Sequence, residues 1–246
     1  MSITGRPGEG PMRVGIPIAD LTAGLYCALG IMVALLAREE IGEGQWVQTS
    51  LLQSQIAMLD FQATRWLVNG EIPPQAGNNH PTAIPTGVFE TADGHINLAV
   101  TGQVIWERFC RSVDAEHWIE HPDYKTSTLR SQNRDALGDE INEILRTADS
   151  ATWIERFNET GVPCGPINTI DKVFADPQVQ HLEMAQTVTS KALGDLNLVA
   201  QPIKMNKTPS VLKVAPPERS EHSDEILQEF GYSSDEITEL KNAGIV

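Results

Sequence analysis

The least polar stretch of the chain runs from Gly15 to Glu40, GIPIADLTAGLYCALGIMVALLAREE, and a single carboxylate, Asp20, stands at its entrance. Val14, Ile16 and Ile18 alternate with small residues, which predicts a short extended segment leading up to Asp20. A long apolar helix is predicted from about Leu21 to Arg38. Asp20 then sits at a strand–helix junction, facing the free N–H groups and the positive dipole end of the helix. On spacing alone it reads as a helix cap, because Asp accepts well from first-turn amides. The alternative is a nucleophilic carboxylate that attacks an activated acyl group and carries it as an anhydride. Periodicity does not separate the two.

Downstream, IGEGQW reads as a turn and Gln45–Thr49 alternates as a strand. Ser50 and Gln53 form a capping box opening a helix, LLQSQIAMLDFQATRWLVN, that stops at Gly70. Strand–helix–strand–helix order predicts an α/β layer with some parallel pairing. EIPPQAGNNHPTAIPTG then breaks the rhythm with prolines, glycines and asparagines, which puts a boundary near Pro73. A hairpin follows, with strands Val88–Thr91 and Ile96–Val100 around a turn at Asp93 and Gly94. Helices are predicted from about Val104 to Val113, Asn133 to Arg146 and Ser150 to Thr160. GVPCGPIN reads as a tight loop before Thr169–Asp176, and Leu196–Ile203 as a strand. PPERSEHSDEIL opens a helix, and SSDEITELKNAG closes the chain with a Ser233/Glu236 capping box and Gly244 past its end.

Composition narrows the function. The 246 residues, 41% hydrophobic and 21% charged, are those of a globular protein with one large domain or two small ones. A net charge of −15 argues against nucleic-acid partners and against anionic membrane surfaces. It leaves room for an anionic small molecule, which needs only local positive potential. Cys27, Cys110 and Cys164 are odd in number and widely spaced, so a reducing, cytoplasmic setting is expected. MSITGRPGEG has no apolar core and is not a secretory signal. Leu21–Ala37, about 17 residues, is at the short end of what spans a bilayer. Charged residues bracket that run, so a buried core helix is expected, with Gly24 and Gly30 marking close approach of another backbone.

Several motifs are weak. His117, Glu120 and His121 match an HxxEH metal pattern, but Pro122 ends any helix at His121 and no third ligand is signalled, so no metal is expected. No GxSxG, P-loop or GxGxxG is present. Cys164 in GVPCGP has no basic neighbour in sequence, which favours a structural cysteine over a thiol nucleophile. His80 in GNNHP is either part of a plain turn or one of several donors converging in a loop.

GIPIADLTAGLYCALGIMVALLAREEIGEGQWVQTSLLQS resembles the signature region of the class III CoA-transferase family, which includes formyl-CoA:oxalate and carnitine CoA-transferases and, as a cousin, alpha-methylacyl-CoA racemase. GNNHP, TADGHINLAV, GVPCGPINTIDKVFADPQV, QPIKMNKTPS and the PPERSEHSDEIL to GYSSDEITEL ending follow in family order, and the resemblance spans essentially the whole chain. It implies an α/β fold: residues 1–50 in a Rossmann-like large domain, incomplete here, a linker helix over 51–73, a small α+β domain over 74–185, and a return to the large domain over 186–246. It also implies the C-terminal portion of a family member, without the N-terminal segment that supplies most CoA contacts. The family's catalytic aspartate aligns with Asp20, so the resemblance reverses the reading from cap to nucleophile. CoA would move between an acyl-CoA thioester and a small carboxylic acid through aspartyl anhydride and aspartyl-CoA thioester intermediates. Nothing would be bound permanently, the CoA thioester being a substrate. The family's mobile glycine-rich loop aligns with Gly77, Asn78, Asn79, His80 and Pro81, as a substrate-binding lid. Its departure from a glycine run argues against oxalate as acceptor. An interlocked homodimer is implied. The racemase cousins use a histidine upstream of their aspartate, at a position before Met1, which leaves racemisation open as one alternative; a non-catalytic truncated fragment or partner subunit is the other. Ser220 stands before Glu221 and His222 where the family usually has glycine.

Overall fold

The computed structural model describes all residues from 1 to 246. The chain divides into two compact units, Met1–Ile167 and Asn168–Val246. In the first unit, helix α1 spans Ile18–Ile41, α2 Leu51–Ala57 and α3 Phe61–Asn69. Strands β1 (Thr86–Glu90) and β2 (His95–Ala99), helices α4 (Gln103–Ser112), α5 (Ser127–Gln132), α6 (Arg134–Leu145) and α7 (Ser150–Thr160), and strand β3 (Cys164–Pro166) follow. The second unit holds α8 (Ile170–Ala175), α9 (Pro177–His181), β4 (Ala185–Ser190), β5 (Gly194–Val199), α10 (Ser223–Glu229) and α11 (Ser234–Asn242). The expected mixture of helix and sheet is present.

Several local expectations need correcting. Residues 14–17 form no strand: the helix begins at Ile18, three residues before the expected start. Its N-cap is therefore Pro17, and Asp20 sits inside the first turn rather than capping it. Gln45–Thr49 is extended but pairs with nothing, and every ladder in the chain is antiparallel, so the parallel pairing is not formed here. An alternating pattern selects the backbone shape, but only a neighbour supplies the ladder. Val47 lies over α1 at Gly30, where an added Cβ would come within 2.8 Å of Val47 Cγ1. That close approach is the reason for a glycine in mid-helix. The Ser50 cap forms as expected, its Oγ accepting from Gln53 N at 3.2 Å, but the helix then breaks at Met58–Asp60, where Asp60 adopts φ 49°.

The core of the first unit belongs to the three-stranded sheet and the helices that follow it. Phe89 lies opposite Ile96, and Leu98 opposite Cys164, so β3 is a short strand where a loop was expected. Ile96 and Leu98 pack with Trp106, Phe109, Leu137 and Phe157, all fully buried. Arg130 is also buried: its Nε donates to Ile84 O, its Nη1 donates to Tyr124 O, and its guanidinium lies 4.6 Å over the Trp106 ring. Neutral carbonyls and an aromatic face thus replace a carboxylate partner, spreading the buried charge over several dipoles. The hairpin turn is tied to α7 through Asp93, whose Oδ1 accepts from Ser150 N and Ser150 Oγ at 2.8 Å each. Those two bonds hold the Asp93 carboxyl below its usual pKa.

In the second unit, β4 and β5 form a hairpin in full register from Ala185↔Val199 to Ser190↔Gly194. β4 was not anticipated, and β5 begins at Gly194 and ends before the expected Ile203. The α11 capping box is present, while α10 covers only the end of the stretch expected to be helical. Ser220 has φ 61°, in the left-handed region that glycine enters freely and where a side chain costs about 1–2 kcal/mol.

Phe157 is fully buried between the Phe109 and Trp153 rings, 5.7 Å from each centroid. Phe157→Ala is expected to lower stability by about 3–5 kcal/mol, read as a drop in the urea midpoint.

Candidate functional site

Pro17 cannot cap with a side chain, and no side chain caps α1. Leu21 N donates to Pro17 O, but no backbone carbonyl accepts from the amides of Ala19 and Asp20. The next residue on the helix, Thr22, is buried and turns its hydroxyl back onto Ile18 O at 2.6 Å. Asp20 is the opposite: it is exposed, and no hydrogen bond or ion pair in the chain engages its carboxylate. It opens onto a pocket of about 490 Å³. Arg13 and Asp20 are the charged side chains of the lining, with Gln55, Met58 and Leu59 contributed from the α2 side. The pocket therefore holds one carboxylate, one guanidinium and apolar walls. Sequence reading found Asp20 but not Arg13 or Gln55: Arg13 lies in an irregular glycine- and proline-rich segment, and Gln55 on a helix face with nothing to distinguish it.

Gly77, Asn78, Asn79 and His80 come together as a single loop at the edge of β1. His80 N donates to Thr86 O at 2.7 Å, Val88 N donates to Asn78 O at 3.1 Å, and Asn79 bridges to Gly87. His80 is part of a turn and more. Its Nδ1 accepts from Ala83 N at 3.0 Å and from Thr82 N at 3.2 Å, and its ring stacks on Phe61 at 5.8 Å. Accepting at Nδ1 puts the proton of the neutral ring on Nε2. Asn78 and Asn79 are exposed, with no side-chain hydrogen bond in the chain.

The loop residues do not line the Asp20 pocket, so a lid directly over the carboxylate is not formed. The two are connected through the N-terminal segment. Gly77 N donates to Gly5 O at 2.9 Å, and Gln75 Nε2 donates to Thr4 O at 2.6 Å and Gly10 O at 2.7 Å. Thr4 itself lines the pocket.

The competing sites are spoken for structurally. His117 and His121 fall around a single 3-10 turn, Glu116–Trp118, rather than on one face of an α-helix. His121 stacks on Tyr124 at 4.6 Å and accepts from Asp123 N. Tyr124 in turn donates to Glu140 at 2.6 Å, and burial together with that bond pushes its pKa up to about 12. Burial also raises the Cys110 thiol to about 12 and raises that of Cys164, so neither is an activated nucleophile.

The model of CoA-transferase family III matches residues 1–223. The succinyl-CoA:glutarate CoA-transferase of Homo sapiens is 31% identical over 247 residues, covering 100% of this chain and 56% of that protein. The succinyl-CoA:mesaconate CoA-transferase of Haloarcula marismortui is 33% identical, covering 94% of this chain and 58% of that protein. Among solved structures, a CAIB/BAIF family protein from Brucella suis superposes with a TM-score of 0.77 at 28% identity, covering 93% of this chain and 59% of that one. The chain thus spans little more than half the length of the relatives it matches.

Gly87 sets where the loop lies. A Cβ there would meet Asn78 O at 2.4 Å and Asn79 Cα at 3.0 Å. Gly87→Ala is expected to push the loop off β1, with faster amide exchange at His80 and Val88 and unchanged exchange in the core helices α4 and α7.

Proposed function

Because the chain belongs to CoA-transferase family III, we propose that it takes part in moving CoA between an acyl-CoA thioester and a small carboxylic acid, with Asp20 as the transient acyl carrier. One observation carries the reading. Asp20 stands exposed and unpaired at the head of an apolar helix, on a pocket whose only other charged side chain is a guanidinium. A capping or structural carboxylate would be engaged by its own backbone or by a cation, as Asp93, Asp149 and Asp176 are.

The chemistry closes without a cofactor. The Asp20 carboxylate attacks the thioester carbonyl, forming a C–O bond and expelling the CoA thiolate. The thiolate returns to the Asp20 acyl carbon of the mixed anhydride, releasing the donor acid and leaving an aspartyl-CoA thioester. The acceptor carboxylate attacks that thioester, again expelling thiolate, and thiolate attack on the acceptor's acyl carbon regenerates Asp20. Each intermediate is a reactive acyl donor that water would destroy, so the apolar walls around Met58 and Leu59 protect it. The Asn78–His80 loop would close over the substrate, moving with the N-terminal segment that Gln75 and Gly77 hold.

Arg13 suits a substrate with two carboxylates, one to react and one to be held. The names of the human and Haloarcula relatives pair succinyl-CoA, which keeps one free carboxylate beside its thioester, with the dicarboxylates glutarate and mesaconate, which supports the same class here.

Incubating the protein with succinyl-CoA and hydroxylamine is expected to leave a hydroxamate on Asp20, detected by peptide mass spectrometry. Asp20→Ala should abolish both the adduct and CoA transfer. Transfer at the original rate by that variant would reject the reading. Arg13→Leu is expected to raise KM for glutarate on the order of tenfold, the loss of one charge-assisted contact, with little change for butyrate.

A further inference from the structure

Two arginines of the first unit hold backbone carbonyls instead of carboxylates. Arg130 lies in α5 and Arg134 opens α6, and neither enters an ion pair. Arg130 Nε donates to Ile84 O at 3.0 Å, and Arg134 Nη2 donates to Pro81 O at 2.8 Å. Both thus grip the stretch from Pro81 to Ile84, which follows the Gly77–His80 loop directly. Arg130 is accounted for by the core it lies in, over the Trp106 ring. Arg134 is not. It is half-buried, and its other bonds run only to Ser131, at 3.2 Å to the carbonyl and 3.1 Å to Oγ.

The carbonyl that Arg134 holds belongs to the peptide between Pro81 and Thr82. The N–H of that same peptide donates to His80 Nδ1 at 3.2 Å. The peptide is trans, so its C=O and N–H point to opposite sides. One peptide therefore carries the guanidinium at one end and the imidazole at the other. A cation on the oxygen polarises the peptide and strengthens its N–H as a donor. Ala83 N brings a second donor to Nδ1 at 3.0 Å. Backbone N–H groups only donate, so the ring atom they meet must accept, and the neutral ring keeps its proton on Nε2. Every hydrogen bond of the ring falls on Nδ1, which leaves Nε2 without a partner. Phe61, stacked on the ring at 5.8 Å and 16°, steadies its plane without a polar contact.

We infer that Arg134 is a positioning residue for His80: through the Pro81–Thr82 peptide it fixes the ring in the tautomer whose Nε2–H is free to donate to a substrate oxygen. The substrate half of this rests on the role proposed above for the loop, and the tautomer half does not. A donor without a charge serves a carboxylate oxygen and an acyl carbonyl alike. In the other tautomer Nε2 would present a lone pair, which repels both.

The test uses the full chain, isotope-labelled at the histidine nitrogens and read by NMR with the rings neutral. Expected in the wild type are the shift of a bare nitrogen at Nδ1, the shift of a protonated one at Nε2, and slow exchange of the Thr82 amide. Arg134→Met is expected to speed Thr82 exchange severalfold and to raise the share of His80 protonated at Nδ1, for which Thr82 Oγ1, 3.5 Å away, is the acceptor. Exchange at His80 and Val88, whose amides pair with Thr86 O and Asn78 O, should stay unchanged, as should that of α4 and α7. A merely structural role would move those amides too. Arg134→Lys keeps a cationic donor and should restore the wild-type shifts. Ser131→Ala, which removes a hydroxyl that steadies the guanidinium, should act in the direction of Arg134→Met by a smaller amount. Two results would overturn the tautomer assignment: a protonated Nδ1 in the wild type, which needs no variant to be seen, or Thr82 exchange and ring shifts that neither Arg134→Met nor Ser131→Ala alters. In the transfer assay Arg134→Met is expected to raise KM for glutarate roughly three- to tenfold, the net worth of one hydrogen bond, by more than it lowers kcat. An unchanged KM would overturn the contact with substrate. Absence of the Asp20 hydroxamate in the wild type counts against Asp20 alone, and unaltered ring shifts count against Arg134 alone.

Discussion

The structure around the candidate site depends on where helix α1 is held. Asp20 has no anchor of its own, so its position follows from the first turn, where Thr22 folds back onto Ile18 O, and from the contact of Val47 with Gly30 farther along the helix. That contact fixes one side only. Leu25, Leu29, Met32 and Leu36, on another side of the helix, stay exposed, so they add nothing to holding it in place.

Local chemistry in this chain was readable where it was self-contained. The caps at Ser50 and Ser233, the Asp93–Gly94 turn and the α4, α6 and α7 helices follow from neighbouring residues alone, and all are present. Features that need a distant partner were not readable. Gln45–Thr49 has the alternation of a strand but no ladder. Cys164–Pro166 has no strand pattern, yet pairs with β2 because α7 delivers it there. β4, AQTVTS, is too polar to register as a strand until β5 folds beside it. The break at Asp60 has no local signal, since nothing in its sequence announces φ 49°.

The site divides in the same way. Asp20 stood out by its place before an apolar run and the Gly77–His80 loop by its turn residues, but their readings as nucleophile and lid came from the family resemblance. Arg13 was hidden in an irregular segment, and the hydrogen bonds of Gln75 to Thr4 and Gly10 could not be found because they join segments more than 60 residues apart. Those bonds matter because they make one assembly of what read as two separate motifs.

The separation of loop and carboxylate has a physical rationale. Transfer through acyl intermediates needs water excluded while the intermediate lives, and free access while acids exchange. A loop resting beside the pocket, tied to it through Thr4 and Gly5, can serve both needs if the N-terminal segment moves. Asn78 and Asn79 have side chains uncommitted within the chain, and the hydrogen bonds of His80 fall on Nδ1 and leave Nε2 without a partner. Free side-chain donors on an anchored loop cost little to bring onto a carboxylate, because no side-chain hydrogen bond of Asn78 or Asn79 must be broken first. The ring of His80 stacks on Phe61, at the start of α3, a second anchor for the loop besides β1. On this view the glycine at 87 and the departure from a glycine-rich lid are linked. The loop carries side chains with free donors, and the close approach that glycine permits lies in the strand beneath it.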